Sequence, residues 1–302
     1  MEAAQAPSRS KRVQLPVLAF VAVFGVAMRT IAADDEISIL SYNTHGLLAW
    51  IARDDPARRF PLIGTRARAY DLAFFQEVFL EDYYARLGLN SDTGWQSYRG
   101  NGPRPGPLGL MEAVCGWCGS GLAGAAAARL SVVSVDRRPF GSCAGKLRGA
   151  HDCWATKGIL FLRLRLPNGA EIDAYDLHMD AGDRGADYRV RRGQIAVLRE
   201  EVERRSQERA VIVAGDFNLK QNVDRDQLLL EEFRRAAGLT DARARPAAPH
   251  WNEVIDYILF RSGAKTSLAL LEAGEALEFV DERGTPLSDH PAVYARFRAR
   301  QD

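Results

Sequence analysis

A mixed α/β domain is the fold class that this 302-residue chain predicts. Three features point to it: apolar runs of strand length, charged stretches whose apolar residues recur at helical spacing, and turn signals such as Pro167-Asn168-Gly169 that suit a hairpin. The length fits one large domain, the 47% hydrophobic content is ordinary for a globular protein, and no repeat or low-complexity tract interrupts the series.

The first thirty-three residues stand apart. Arg9, Lys11 and Arg12 precede the apolar run Val13 to Met28, and Ile31-Ala32-Ala33 supplies small residues ahead of Asp34-Asp35-Glu36. That order of basic, apolar and small residues is the pattern of a secretory signal peptide. Residues 1–33 are therefore expected to be a leader and 34–302 a secreted or periplasmic domain. The run is shorter than the roughly 20 residues that a spanning helix needs, and a retained anchor is the alternative. Removing the leader takes Arg9, Lys11, Arg12 and Arg29 but only Glu2, so the balance of 40 basic against 39 acidic residues becomes 36 against 38. Strong non-specific nucleic-acid binding leaves a basic footprint, and none shows at chain level.

Behind the leader, Ile37, Ile39 and Leu40 open a strand from Ile37 to Tyr42. Helices over 58–70 and 80–88 flank a second strand at Leu72 to Gln76, and Gly100 to Gly109, rich in Gly and Pro, is a loop. Residues 187–206 place Val190, Ile195, Val197, Leu198 and Val202 among charges at helical spacing. This is an amphipathic helix outside a sheet, with Arg189, Arg191 and Arg192 on its solvated face. A strand at Ala210 to Ala214, a helix over 224–237 and a strand at Val254 to Phe260 follow.

All four cysteines, Cys115, Cys118, Cys143 and Cys153, lie mid-chain. In an exported protein an even set reads as disulfides with three possible connectivities. A Cys143–Cys153 bond would close a loop leading into the Lys157 segment and leave Cys115 with Cys118 as a tight ring. A four-cysteine zinc site is the rival.

Chemistry sits at the strand ends. Asn43 follows the first strand, Glu77 the second, Gly215-Asp216-Phe217-Asn218 the Ala210 strand, and Asp256 lies within the Val254 strand, with Ser288-Asp289-His290 downstream. Cleaving a phosphate ester calls for a hard cation, which prefers oxygen donors such as the Glu77 carboxylate and the Asn43 amide. It also calls for a base: imidazole titrates near neutral pH, and His290 has an acid beside it in sequence. His178, in Asp176-Leu177-His178-Met179-Asp180, suits a hydrogen bond to a phosphoryl oxygen as charge builds there. His45, two residues after Asn43, is expected at the surface, with a place near the metal as the alternative, and His151 and His250 have no partner pattern.

Six motifs in order, Ser41-Tyr42-Asn43, Gln76-Glu77-Val78, Leu177-His178, Gly215-Asp216-Phe217-Asn218, Ile255-Asp256-Tyr257 and Ser288-Asp289-His290, resemble the endonuclease/exonuclease/phosphatase superfamily over residues 36–297. The resemblance implies a four-layer αββα sandwich of two packed mixed sheets, with strands near 131–135, 159–166 and 171–177. It implies that Glu77 binds the catalytic metal, Mg²⁺ or else Mn²⁺ or another divalent cation, with Asn43 and Asp289 beside it. His290 becomes the general base, supported by Asp289 or Asp256, and His178, Asp216 and Asn218 hold the scissile phosphate or the attacking water, which attacks in line without a covalent enzyme intermediate.

Ala155-Thr156-Lys157-Gly158, the segment Leu177 to Gly182 and the later Arg189, Arg192 and Gln194 look like the sphingomyelinase branch, with Lys157 as a contact to the substrate phosphate. The Gly119-Ser120-Gly121-Leu122 turn resembles one that precedes a core strand there. The expected substrate is a phosphodiester, a phospholipid by preference, reached through peripheral membrane contact by a monomer. A secreted deoxyribonuclease-like endonuclease or a small organic phosphate phosphatase is the alternative, and nucleic acid stays open as a partner. The interval from Asp256 to Asp289 is short and poor in aromatics compared with the membrane-binding hairpin of secreted bacterial sphingomyelinases; Trp117 and Trp154 are the candidates to replace it.

Overall fold

In a computed structural model the described residues are Met1, 35–102, 119–145, 152–244 and 255–301. The expected leader and the Cys115–Cys118 ring lie outside them, as do Trp117, His151 and His250.

Two six-stranded sheets face each other. The first has β1 (Asp35–Gly46), β2 (Leu72–Val78), β3 (Trp95–Arg99), β4 (Ala123–Ala127), β11 (Thr266–Glu275) and β12 (Val293–Gln301), in the order β11-β12-β1-β2-β4-β3. The second has β5 (Ser131–Pro139), β6 (Gly158–Arg165), β7 (Glu171–His178), β8 (Ala210–Asp216), β9 (Thr240–Asp241) and β10 (Asp256–Arg261), in the order β5-β6-β7-β8-β10-β9. Each sheet holds one parallel pair near its middle, β1 with β2 and β7 with β8, and antiparallel neighbours elsewhere. Strands buried on both faces read as continuous apolar runs, which is why Leu72–Phe75 and Ala210–Ala214 were legible.

The inner faces meet through Ile37, Phe74, Leu160, Leu162, Ile212 and Phe297. On the outer face of the first sheet lie α2 (Pro56–Ala67) and α3 (Glu81–Arg86), with Phe60, Ile63 and Tyr83 against Tyr42 and Phe75; the four-residue α1 (Ala49–Ala52) buries nothing. On the outer face of the second sheet lie α4 (Gly185–Arg205) and α5 (Asp224–Ala237), with Leu198, Val202 and Phe233 against Tyr175, Val211 and Val213. Helix, sheet, sheet, helix is the αββα sandwich that was expected. Among the described residues no helix is long and apolar enough to cross a membrane.

Five strands, β3, β4, β9, β11 and β12, have no counterpart in the sequence pattern apart from the turn at Gly119–Leu122 that leads into β4. β4 reads Ala-Gly-Ala-Ala-Ala, which lacks the β-branched residues that mark strands, and β12 alternates arginines outward with Val293, Ala295, Phe297 and Ala299 inward. Pro167-Asn168-Gly169 does form the β6–β7 turn, with Asn168 Oδ1 accepting from the Ala170 amide at 3.0 Å. Arg191 corrects another expectation. Instead of facing solvent it is 1% exposed, donating from Nη1 to the carbonyls of Asp180 (3.0 Å) and Gly182 (2.8 Å), whereas Arg189 and Arg192 are exposed.

Candidate active site

Both parallel pairs point their C-terminal ends to the same rim, so polar residues in the last few positions of β1, β2, β7 and β8 converge. β1 delivers Asn43 where its register with β2 breaks, and His45, two residues on, takes a left-handed φ of 48°. The chain can turn so tightly because residue 46 is glycine: a Cβ there would stand 2.2 Å from the Glu77 carbonyl oxygen. Glu77 leaves β2 at a φ of 60°. Gly215 has the same kind of role on β8, since a Cβ would meet the Leu177 carbonyl at 2.1 Å, and it sets Asp216 beside His178 in register.

Asn43 is buried and joins the sheets across the cleft. Its amide NH2 donates to Glu77 Oε1 (3.2 Å) and to Asp216 Oδ2 (3.1 Å), and its carbonyl accepts from the His45 amide (3.1 Å). Asp216 Oδ1 accepts from the Asn218 amide at 2.8 Å, and Asn218 Nδ2 donates to the Met179 carbonyl at 3.0 Å. Burial first, and the neighbouring Asp256 second, push the Asp216 carboxyl up to about 7.

His290 Nδ1 lies 2.8 Å from Asp256 Oδ2, and its Nε2 lies 4.0 Å from Asp216 Oδ2. Of the two acids expected to support His290, the structure selects Asp256. Burial disfavours the imidazolium, but the Asp256 charge and hydrogen bond, with Asp216 and Asp289 behind them, carry His290 up to about 10. Asp289 turns outward instead, 3.3 Å from His45 Nδ1, which also stands 3.9 Å from Glu77 Oε2. His45 therefore sits between two expected metal ligands and not on open surface; only the spacing Asn43-Thr44-His45 signals this.

Lys157 is buried. Its Nζ pairs with Asp152 Oδ1 (2.5 Å), donates to the Met179 carbonyl (2.8 Å) and lies 3.0 Å from His178 Nε2. An ammonium only donates, so His178 Nε2 accepts and its proton sits on Nδ1. Burial, then the charges of Lys157 and His290, hold His178 well below the usual histidine range, so it is neutral. Asp152 was not anticipated. It is presented beside Cys153, which is bonded to Cys143, one of the expected pairings.

Glu77, Asp216, Asp256 and Asp289 gather on one rim, and Asp256 Oδ1 is buried without a hydrogen-bond partner. Lys157, Lys220 and His290 are cations at this rim among the described residues, and Lys157 is already paired with Asp152 and Lys220 with Asp183. Such an oxygen-rich, under-neutralised donor set fits a hard divalent cation. Among the described residues Asp216, Asp256 and His290 place ligating atoms within 4.8 Å of one another. The adjoining cleft, of about 500 Å³, is lined by Lys220, Gln221, Asn222, Asp256, Asp289 and His290.

The model of the endonuclease/exonuclease/phosphatase family matches residues 40–290. Sphingomyelinases of Mycobacterium bovis and Mycobacterium tuberculosis are 31% identical over 293 residues, covering 91% of this chain and 56% of theirs, so the chain spans about half the length of the curated relatives it matches. Beta toxin from Staphylococcus aureus superposes with a TM-score of 0.62 at 15% identity, over 86% of this chain and 99% of that one. A beta toxin structure with bound magnesium ions gives 0.60 at 14%, over 89% and 100%. TDP2 of D. rerio, complexed with a single-strand DNA product, gives 0.62 at 17%, over 87% and 99%. At these identities the structural likenesses speak for the fold alone. The family model and the mycobacterial relatives establish more: this chain belongs to the endonuclease/exonuclease/phosphatase family.

Proposed function

We propose that the protein is an exported, Mg²⁺-dependent phosphodiesterase of sphingomyelinase type, which hydrolyses a phospholipid headgroup ester by in-line attack of water. The observation that carries this reading is the His290–Asp256 pair facing Asp216 across from the Asn43–Glu77 pair, a base and an oxygen-donor site on one rim. The mycobacterial relatives, named sphingomyelinases, support the substrate class, and the beta toxin structure with magnesium supports the ion.

Glu77 would be the principal ligand of the ion, with Asp289 and the Asn43 side chain beside it. A bound Mg²⁺ supplies charge neutralisation at the phosphoryl oxygens. Asp216 and Asn218 hold the attacking water against His290 Nε2. With a cation offsetting the acidic cluster that otherwise keeps its ring protonated, His290 would be free to remove the proton of that water, and Asp256 fixes the ring and stabilises the imidazolium. Beside Asp216 and Asn218, Lys157, buried and positively charged, gives up its contact with His178 to meet the phosphate, and His178 is free to hydrogen-bond a phosphoryl oxygen through Nε2 once its proton changes nitrogen. Trp50, Ile51 and Trp154 are exposed and serve membrane contact.

Incubating purified protein with sphingomyelin vesicles and with plasmid DNA, each with Mg²⁺ and with chelator, tests the substrate. Release of phosphocholine that chelator abolishes is expected. Degraded DNA beside untouched lipid would replace this reading with the nuclease one, for which the DNA-product complex of D. rerio TDP2 is the favouring observation.

A further inference from the structure

The two halves of the cleft are carried by separate pieces of chain, and a residue outside the six motifs joins them. Arg59, on α2, is 9% exposed and points its guanidinium inward. Nη1 donates to the Thr44 carbonyl (2.8 Å) and the Leu287 carbonyl (2.6 Å), and Nη2 donates to the His45 carbonyl (3.0 Å). Asp54 holds the other edge through an ion pair of 3.0 Å to Nε and a bond of 3.2 Å from Nη2. Thr44 and His45 directly follow Asn43, and Leu287 directly precedes Ser288-Asp289-His290. Ser288 repeats the link on the cleft side, its Oγ donating to the Asn43 carbonyl at 2.7 Å.

We infer that Arg59 is a positioning residue: it fixes the spacing between the oxygen-donor half of the site, at Asn43 and Glu77, and the base half, at His290. A guanidinium suits this task because its planar fork spreads five donors over three nitrogens and can satisfy several separated carbonyls at once, whereas an ammonium carries its three donors on one atom. The clamp also grips the His45 carbonyl, holding a non-glycine residue at a φ of 48°, and so keeps the His45 amide aimed at Asn43 Oδ1. If the clamp is lost, Asn43 is free to rotate and the Leu287–His290 turn detaches from the end of β1, although neither Arg59 nor its partners touch the reacting atoms. The inference rests on the phosphodiesterase reading for its meaning, but one arm of its test does not need turnover.

The test compares wild type with Arg59→Met, Arg59→Lys and Arg59→Ala. Mn²⁺ binding is read from the spectrum of the free ion by electron paramagnetic resonance, and hydrolysis of bis(p-nitrophenyl) phosphate is followed separately. Losing a residue that orients ligands costs about 10–100-fold in metal affinity, and that loss is expected for Arg59→Met, with Arg59→Lys between it and wild type. In Arg59→Ala, kcat falls and added guanidinium restores part of it, which a purely structural role would not produce. Mn²⁺ affinity within twofold of wild type in a folded Arg59→Lys or Arg59→Met overturns the inference. So does a loss of turnover that follows the melting curve and ignores guanidinium. Should Arg59→Met fail to fold, Arg59→Lys decides by the same criteria. A wild type that binds Mn²⁺ but cleaves no ester sinks the functional reading alone and leaves the Mn²⁺ comparison to judge Arg59; a wild type that binds no Mn²⁺ sinks both.

Discussion

Replacing Asp256 with asparagine keeps the shape of the side chain and removes the charge that faces His290. The contact is short, 2.8 Å from Nδ1 to Oδ2, and Asp256 is 1% exposed, so solvent does little to screen it. His290 rises from 6.5 to about 10 despite burial, a stabilisation of its charged form on the order of 5 kcal/mol, with Asp256 the first contributor on the raising side. Without that charge, burial prevails and the histidine returns toward its ordinary range or below it. The acid limb of the kcat/KM profile should then move down by at least about 1 pH unit, while kcat at neutral pH falls about 10²-fold because the ring loses both its orientation and its basicity. Stability supplies a second readout. A histidine raised on folding contributes stability that is complete below its unfolded value of 6.5 and lost as pH rises through about 10. Asp256→Asn should therefore destabilise the metal-free protein more at pH 6 than above pH 10. The assay is a pH series of steady-state hydrolysis of a soluble phosphodiester beside thermal melts. An unmoved acid limb with kcat within threefold of wild type would refute the pairing of Asp256 with a catalytic His290.

Asp216 predicts a slope of the same sign in a lower pH window. Its carboxyl is raised to about 7, so metal-free stability should fall as pH climbs from about 4 to 7, and Mg²⁺ should raise the melting temperature more at pH 8 than at pH 5; equal gains at both would contradict this. Lys157→Met removes a buried charge that pairs with Asp152 and touches His178, and a loss of kcat near 10²-fold is expected by steady-state assay, with unchanged turnover excluding Lys157 from the site. Reducing Cys143–Cys153, which closes a loop of sequence separation 10, should cost about 3 kcal/mol by denaturant melt and weaken turnover through Asp152. Trp50→Ala should lower hydrolysis of vesicle lipid and spare a soluble ester; equal effects on both would separate α1 from membrane contact.

The site was more legible in the chain than parts of the fold. Runs such as Leu72–Phe75 and Ala210–Ala214 are buried on both faces and announce themselves, and each ends on a polar residue that has no packing reason to be there. β4 and β12 do not announce themselves, since small residues and alternating arginines leave little apolar signal. Within the site, sequence adjacency misled. Asp289 is next to His290 but faces His45, and the real partner, Asp256, is brought up by β10 pairing with β8. Arg191 looks like a surface charge because its buried partners, the Asp180 and Gly182 carbonyls, are set by tertiary structure, as is the Asp152 partner of Lys157.

On the phosphodiesterase reading, side chains from both sheets share one divalent-cation pocket with a base. Anomalous diffraction from crystals soaked in Mn²⁺ tests it most directly. A peak at roughly the 2.0–2.2 Å expected of a hard cation from a Glu77 carboxylate oxygen, on the rim that carries His290, is the predicted result. A protein whose Mn²⁺ binds only away from Glu77 would contradict it.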